Sequence, residues 1–297
     1  MARWRRDRGL QVRMIATVLL LAIVYAAFIA VLSYLGVGPL LLLAIVTVLL
    51  VAQYFLSDRL TLSAMGARVV SEEEEPHLYE TLTRLSVMAG MPRPGLAVVD
   101  SPVPNAFATG RSPRHAVIGV TSSLRRLLNQ EELEAVIAHE LSHIKNRDVM
   151  VITLASFLST VAFVIFRNWF YFDGGGSRGG RGGDDRSLWF ILPLVAAAVW
   201  AASYLLIRAL SRYREFSADS GSALITGRPS HLASALSKIS GLVERVPTKD
   251  LREVEGMNAF FIIPVISGSS VFELFSSHPP VEARIAALER IEKEMGR

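Results

Sequence analysis

The feature that most restricts how this chain can fold is a long uncharged stretch near its N-terminus. Between Met14 and Ser57, 44 consecutive residues contain no Asp, Glu, Lys or Arg. As a single helix this stretch would be about 66 Å long, roughly twice the thickness of the hydrocarbon core of a bilayer. The sequence Gly36-Val37-Gly38-Pro39 interrupts it near its midpoint. We therefore predict a hairpin of two membrane-spanning helices over residues 14–57.

Two later stretches are also uncharged and long enough to cross a bilayer once. They comprise 18 residues from Val149 to Phe166 and 21 residues from Ser187 to Ile207. Residues 167–186 between them form a glycine-rich loop, so we predict a second membrane hairpin over residues 149–207. The composition agrees, because only 20% of the residues are charged, against about 25% in soluble domains.

Two hairpins return the chain to its starting side, which places residues 1–13, 58–148 and 208–297 on one face of the membrane. Basic residues flank the spans on that face: Arg3, Arg5, Arg6, Arg8, Arg13, Arg59, Lys145, Arg147, Arg208, Arg212 and Arg214. The positive-inside rule identifies this face as cytoplasmic. We predict a multi-pass protein of the cell (inner) membrane with both termini in the cytoplasm. A cleaved signal peptide fits less well, because the first apolar run is too long for one.

The two cytoplasmic segments together have the size of one domain. Periodicity and turn residues predict a helix from Ser71 to Ala89 and a small antiparallel sheet. They also predict a helix that runs from Gln130 towards the third span. The three expected strands cover residues 96–99, 105–108 and 115–120, and two more helices cover 231–243 and 280–295. The apolar stretch 260–266 is too short to span, so it packs on the domain or touches the membrane surface. The predicted fold class is a mainly α membrane protein.

The helix that begins near Gln130 contains the sequence His139-Glu140-Leu141-Ser142-His143. Histidines four residues apart lie about 40° apart around a helix, so both imidazoles reach one metal ion. Zinc suits imidazole ligands and lowers the pKa of its bound water, whose proton the neighbouring Glu140 can take. Because the chain has no cysteine, a third ligand must be His, Asp or Glu.

Among those candidates, Glu215 stands out because of its distance from the membrane. It lies eight residues after the fourth span, whereas His143 lies six residues before the third. If these spans pair and their helices continue into the cytoplasm, the two positions emerge side by side. Asp219, one turn after Glu215, can accept the second ring N–H of a ligand histidine.

At these positions the sequence resembles the HtpX-type membrane zinc endopeptidases, which are related to the type I prenyl-protein (CAAX) proteases. The resemblance rests on the paired spans and on four motifs: Asn105-Ala106-Phe107-Ala108-Thr109-Gly110, His139–His143, Arg214–Asp219, and Ser277-His278-Pro279-Pro280 with Arg284. It implies a zincin-like α+β "gluzincin" domain with one Zn²⁺ per chain, held by His139, His143 and Glu215. Glu140 would then be the catalytic base and acid, with Asp219 supporting a ligand histidine.

Three further residues are candidates for substrate or transition-state binding. Asn105 opens a segment that either pairs with an extended substrate or forms an ordinary edge strand. His278 either donates to the oxyanion of the transition state or caps the last helix. Arg284 either pairs with a glutamate or the substrate, or lies on the surface.

The predicted function is hydrolysis of peptide bonds in misfolded or surplus membrane proteins at the cytoplasmic face, as quality control under stress. The expected partners are membrane-protein and unfolded-protein substrates and the lipid bilayer. Nucleic acid is not expected, because no basic block with interleaved aromatic residues follows the N-terminus. One alternative is a prenyl-protein processing protease, for which four spans are few. Another is a non-catalytic metal-binding membrane scaffold or transporter, although the four spans contain no ionisable residues except tyrosines. The oligomeric state stays open.

Overall fold

The computed structural model of the protein describes residues 8–34, 39–173, 185–243 and 278–296. The predicted apolar segment 260–266 and most of the glycine-rich loop lie outside these residues. In chain order the elements are α1 (Arg8–Tyr34), α2 (Pro39–Ala64), β1 (Arg68–Val70), α3 (Pro76–Ala89), β2 (Gly95–Val99), β3 (Ala106–Thr109), a 3₁₀ turn (Pro113–His115), β4 (Val117–Thr121), α4 (Ser122–Leu127), α5 (Gln130–Lys145), α6 (Asp148–Asp173), α7 (Asp185–Thr226), α8 (Pro229–Val243) and α9 (Val281–Glu294).

Four long helices, α1, α2, α6 and the first half of α7, carry the uncharged stretches. Helix α1 packs on α6 and α7, where Leu21, Phe28 and Leu32 meet Ala162 and Val199. Many other apolar side chains on these helices are exposed, as expected for a surface in contact with lipid. Two stretches, Val12–Tyr34 and Ile191–Thr226, are long and apolar enough to cross a membrane. The crossing of a membrane by all four helices stays a prediction.

Helix α7 links the apolar half of the molecule to the polar half. It runs for 42 residues without a break, with Pro193 near its beginning. The fourth uncharged stretch therefore continues as a helix through Glu215 and Asp219, the geometry on which the predicted site depends. Helices α5 and α6 are separate, because Arg147 between them adopts a left-handed conformation with φ 57°. This turn lets α6 leave in a new direction only a few residues after His143.

The sheet is mixed, so the prediction of an antiparallel sheet was wrong. Its strand order is β1-β2-β4-β3, with β2 and β4 parallel and the other pairs antiparallel. The reason is the path of the chain: after β2 it passes to the far edge as β3 and returns as β4 in the middle position. Strand β1 was not predicted, because its three residues are too few to show an alternating pattern.

Helix α3 begins at Pro76, five residues later than predicted. Glu72 to Glu74 form a turn instead of the first helical turn, since the Ser71 backbone N–H donates to the Glu74 carboxylate and Pro76 occupies the start of the helix. Helices α3 and α5 cover the sheet through a core that includes Leu82, Ile118 and Val136. Helix α5 also contacts α7 and α8, so it lies at the centre of the domain.

Candidate metal centre

The sequence around Asn129 builds a well-defined start for the site-bearing helix α5. The Asn129 side chain accepts a hydrogen bond from the Glu132 backbone N–H, and the Glu132 carboxylate accepts one from the Asn129 N–H. Such a capping box satisfies two N–H groups that the helix leaves unpaired. The helix is then buried almost continuously from Leu133 to Ile144. His139 and His143 are therefore held within the protein interior by a rigid element.

Both histidines and Glu215 converge on one point between α5 and α7. The two Nε2 atoms lie 3.1 Å apart. Glu215 Oε2 lies 3.6 Å from His139 Nε2, and Glu215 Oε1 lies 3.5 Å from His143 Nε2. The three residues predicted as ligands are thus brought together and form a group able to hold a metal ion.

The geometry of this group fits a cation. Ligand atoms about 2.0–2.1 Å from a tetrahedral zinc ion are separated by about 3.3–3.4 Å, close to the separations of 3.1 to 3.6 Å found here. Both Nδ1 atoms face carboxylates, which assigns their protons and leaves a lone pair on each Nε2. Two facing lone pairs beside a carboxylate repel one another unless a proton or a metal cation lies between them.

The charges around the group also fit a divalent cation. Four carboxylates are buried here, those of Glu140, Asp148, Glu215 and Asp219, against two buried guanidinium groups, those of Arg214 and Arg284. With the histidines neutral and all four carboxylates ionised, the described residues leave two negative charges uncompensated. Buried charges are costly unless paired, and one divalent ion would balance this excess.

Each histidine is oriented by a carboxylate on its far side. His139 Nδ1 lies 3.0 Å from Asp219 Oδ1. His143 Nδ1 lies 2.6 Å from Asp148 Oδ2, and Asp148 Oδ1 in turn lies 3.0 Å from Arg214 Nε. Asp148 was not predicted from the sequence as a residue of the site. Its signal was an acidic residue at the last position before an uncharged stretch, five residues after His143.

Arg284 is completely buried, which excludes the surface location considered for it. Its Nε and one terminal nitrogen lie 2.9 and 2.6 Å from the two oxygens of Asp219. The other terminal nitrogen lies 3.2 Å from Glu215 Oε2. Burial by itself lowers the pKa of Arg284, but the carboxylates of Asp219 and Glu215 outweigh it and raise that pKa. The guanidinium therefore stays charged and ties α9 to α7.

The structure places His278 beside the metal-binding group and Asn105 at an end of the sheet. His278 Nδ1 lies 3.3 Å from Glu215 Oε2, three residues before α9. Asn105 is buried, and its backbone pairs with Thr121, which ends β4. It immediately precedes β3, an edge strand that contacts α5. Strand β3 is therefore an edge strand among the described residues. Pairing of this segment with a substrate stays a prediction.

Burial and neighbouring charge shift the pKa values of two residues of the HExxH sequence on α5, Glu140 and His139. The Glu140 side chain is buried, and desolvation raises its pKa although the neighbouring histidines lower it. Burial by itself lowers the pKa of His139, but its hydrogen bonds to Asp219 and Glu215 raise that pKa to about 9. The group therefore combines a carboxyl group with a raised pKa and an imidazole, that of His139, which holds its second proton strongly and must release it before Nε2 can bind a metal ion.

Residues 72–292 match the sequence model described as "Peptidase family M48". The chain is 58% identical to "Protease HtpX homolog 2" from Methanosarcina acetivorans over 99% of both chains. It is 52% identical to "Protease HtpX homolog" from Moorella thermoacetica over 97% of this chain and 96% of that one. Its fold is similar to the crystal structure of S. mikatae Ste24p, with a TM-score of 0.57 and 19% identity over 95% of this chain and 67% of that one. The resemblance identified from the sequence motifs is confirmed.

Proposed function

The chain belongs to peptidase family M48 and is a metalloprotease, and from that premise we propose that it is a zinc endopeptidase of the membrane. The observation that carries this proposal is the group of two Nε2 atoms and one carboxylate within 3.1 to 3.6 Å of one another. His139, His143 and Glu215 would hold one Zn²⁺ per chain. When bound, zinc supplies a Lewis acid that polarises a peptide carbonyl and acidifies water.

Glu140 would take the proton from the attacking water and later donate it to the leaving amine. Two features support this role. It lies between the two histidines in the sequence of α5, directly after His139, the position from which a carboxylate can reach water on the metal. Its pKa is raised towards neutral pH, where one carboxyl group can both accept and donate a proton.

The remaining polar residues would hold this arrangement in place. Asp219 and Asp148 fix the tautomers of His139 and His143, so that each presents Nε2. Arg284 keeps Asp219 and Glu215 ionised by direct contact with both. His278, next to Glu215, would donate a hydrogen bond to the oxyanion that forms in the transition state.

The substrates we propose are misfolded or surplus membrane proteins, cleaved at the cytoplasmic face as quality control. Strand β3 supports an extended substrate, since among the described residues it lies at the edge of the sheet and contacts α5, the helix that carries His139 and His143. The exposed apolar surface of α1 and of the first half of α7 supports a location in the bilayer, next to such substrates. The basic flanks of the uncharged stretches support the cytoplasmic orientation.

The test is the substitution Glu140→Gln in purified full-length protein. We expect it to retain the metal and to lose hydrolysis of casein or of an unfolded membrane protein by about 10²- to 10⁴-fold, the usual contribution of a general acid–base group. Elemental analysis of the same samples would identify the metal. The matched control is Glu131→Gln, since Glu131 is exposed in the first turn of the same helix. Cleavage by Glu140→Gln at the wild-type rate would show that the proposed mechanism is wrong.

A further inference from the structure

A groove lies between α6 and α7, the two helices that also carry Asp148 and Glu215 of the metal centre. Its volume is about 280 Å³, and it is lined from Ile152 to Phe163 on α6 and from Trp200 to Ser211 on α7. Each of these two stretches covers eleven helical steps, so the groove is about 16 Å long. This length is close to the thickness of one leaflet of a hydrocarbon core of about 30 Å. Its near end is one helical turn from Glu215.

The chemistry of the wall changes along this groove. Its deep end is aromatic, with the ring centroids of Phe163 and Trp200 5.5 Å apart. Hydroxyl groups of α6, including that of Thr160, line its middle. Its near end carries Arg208, whose guanidinium carbon lies 4.2 Å from the ring centroid of Tyr204. The groove is thus apolar at one end and cationic at the other, as an amphiphile with an anionic head would require.

Arg208 has no anionic neighbour of its own within the described part of the chain. No acidic side chain lines the groove there. The Nε atom of Arg208 is buried and makes no hydrogen bond to any described residue. A buried guanidinium nitrogen of this kind needs an acceptor, and phosphate is one that suits its geometry.

The position of Arg208 along α7 agrees with a headgroup. It directly follows Ile207, the last residue of the fourth uncharged stretch. If that stretch spans the bilayer, as the proposed function assumes, Arg208 lies at the cytoplasmic headgroup level and the aromatic residues lie within the hydrocarbon. A substrate's membrane-spanning helix fits less well, since its cytoplasmic flank is usually basic and would be repelled by Arg208.

We propose that the α6–α7 groove binds one anionic phospholipid of the cytoplasmic leaflet, with its phosphate on Arg208 and an acyl chain along Thr160, Phe163 and Trp200. The bound lipid covers the open side of the helix pair α6–α7. These two helices carry Asp148 and Glu215 on the side of the metal centre. No covalent step is involved.

The test compares lipid retention in full-length protein released from mixed micelles of phosphatidylcholine and phosphatidylglycerol. Native mass spectrometry counts each lipid bound per chain. Wild-type protein should retain phosphatidylglycerol about fivefold more strongly, the effect usual for one arginine at an anionic surface. Arg208→Gln should abolish this preference and Arg208→Lys should keep most of it. Thr160 lies exposed in the groove, so the larger ring in Thr160→Trp would fill part of the groove and should reduce retention of both lipids.

The matched control is Arg59→Gln, since Arg59 is an exposed arginine at the end of another uncharged stretch, outside the groove. Equal losses in Arg59→Gln and Arg208→Gln would overturn the proposal in favour of non-specific attraction. Unchanged lipid retention in Thr160→Trp would also overturn the proposal. If that variant in addition cleaved membrane-anchored substrates poorly, the groove would be a site for the substrate and not for a lipid. Because binding is measured without proteolysis, its failure is distinguishable from failure of the proposed function.

Discussion

The two halves of α7 expose and bury opposite kinds of side chain. In the first half, Leu194 is 70% exposed and Leu205 50% exposed. In the second half, Glu215 and Asp219 are at least 95% buried. In water both arrangements would be unfavourable, because apolar surface prefers burial and charge prefers hydration. A bilayer around the first half would make its arrangement favourable, and the charged partners around the second half make the other arrangement favourable.

The two halves differ in how specific their surroundings must be. Lipid is a uniform solvent, so the first half needs only apolar side chains of any shape. The second half needs particular partners, because each buried carboxylate depends on an arginine or histidine at hydrogen-bond distance. Loss of one charged partner in the second half should therefore destabilise the protein more than loss of apolar area in the first half.

The largest effect is expected from Arg284→Leu, which removes the shared partner of Glu215 and Asp219. It removes the one buried positive charge that contacts both carboxylates and should lower the free energy of unfolding by about 3–5 kcal/mol. Thermal or chemical unfolding in detergent measures this loss. Arg290→Leu, at an exposed position of the same helix, should change it by about 0.5 kcal/mol or less. Similar losses in the two variants would mean that the buried charges are not coupled.

In the first half of α7, Leu194→Asp should oppose membrane insertion at a cost of about 2.5–3.5 kcal/mol, since a charge would face lipid. An insertion assay in membrane vesicles measures the inserted fraction. Val87 is 75% exposed on α3, outside the candidate spans, so Val87→Asp should have little effect. If both variants insert equally well, the first half of α7 does not lie in lipid.

A smaller effect is expected from Asp148→Asn, which weakens the hydrogen bond that orients His143. Loss of such a partner typically reduces metal affinity by about 10- to 100-fold. Competition with a chelator of known affinity measures the change. Asp100→Asn, at an exposed position, serves as the control and should bind metal normally. Unchanged affinity in Asp148→Asn would remove Asp148 from the site.

The smallest effect, counted for a change of one pH unit, is a dependence of metal affinity on pH. Because the pKa of His139 is raised to about 9, the imidazole holds a proton that metal must displace at lower pH. Affinity should therefore fall by about tenfold for each pH unit below that pKa and level off above it. Asp219→Asn replaces the carboxylate by a neutral amide and weakens the hydrogen bond that raises this pKa, so the fall should begin at a lower pH. A flat profile up to pH 9 would contradict the coupling.

Much of the candidate site was predictable because its signals are local. The capping residues Asn129 and Glu132 and the helical spacing of His139 and His143 lie within one helix, whose geometry depends on short-range hydrogen bonds. Glu215 was predictable through membrane geometry, since two uncharged stretches fix how far each polar residue lies from the bilayer.

Other features depended on contacts between segments far apart in the chain. The parallel pairing of β2 with β4 follows from the path through β3, which no short pattern reveals. The burial of Arg284 depends on α9 docking against α7 across 65 residues of sequence. Asp148 was overlooked because an acid at a helix start is ordinarily explained by the helix dipole, and its contact with His143 arises from the left-handed turn at Arg147.

The sequence by itself determined which stretches avoid water and which residues can bind a metal, because hydrophobicity and ligand chemistry belong to single residues and their spacing. Only the tertiary structure decided how the buried charges are neutralised. That outcome depends on distances of about 3 Å between side chains of α5, α6, α7 and α9, and such distances exist only after the helices have packed.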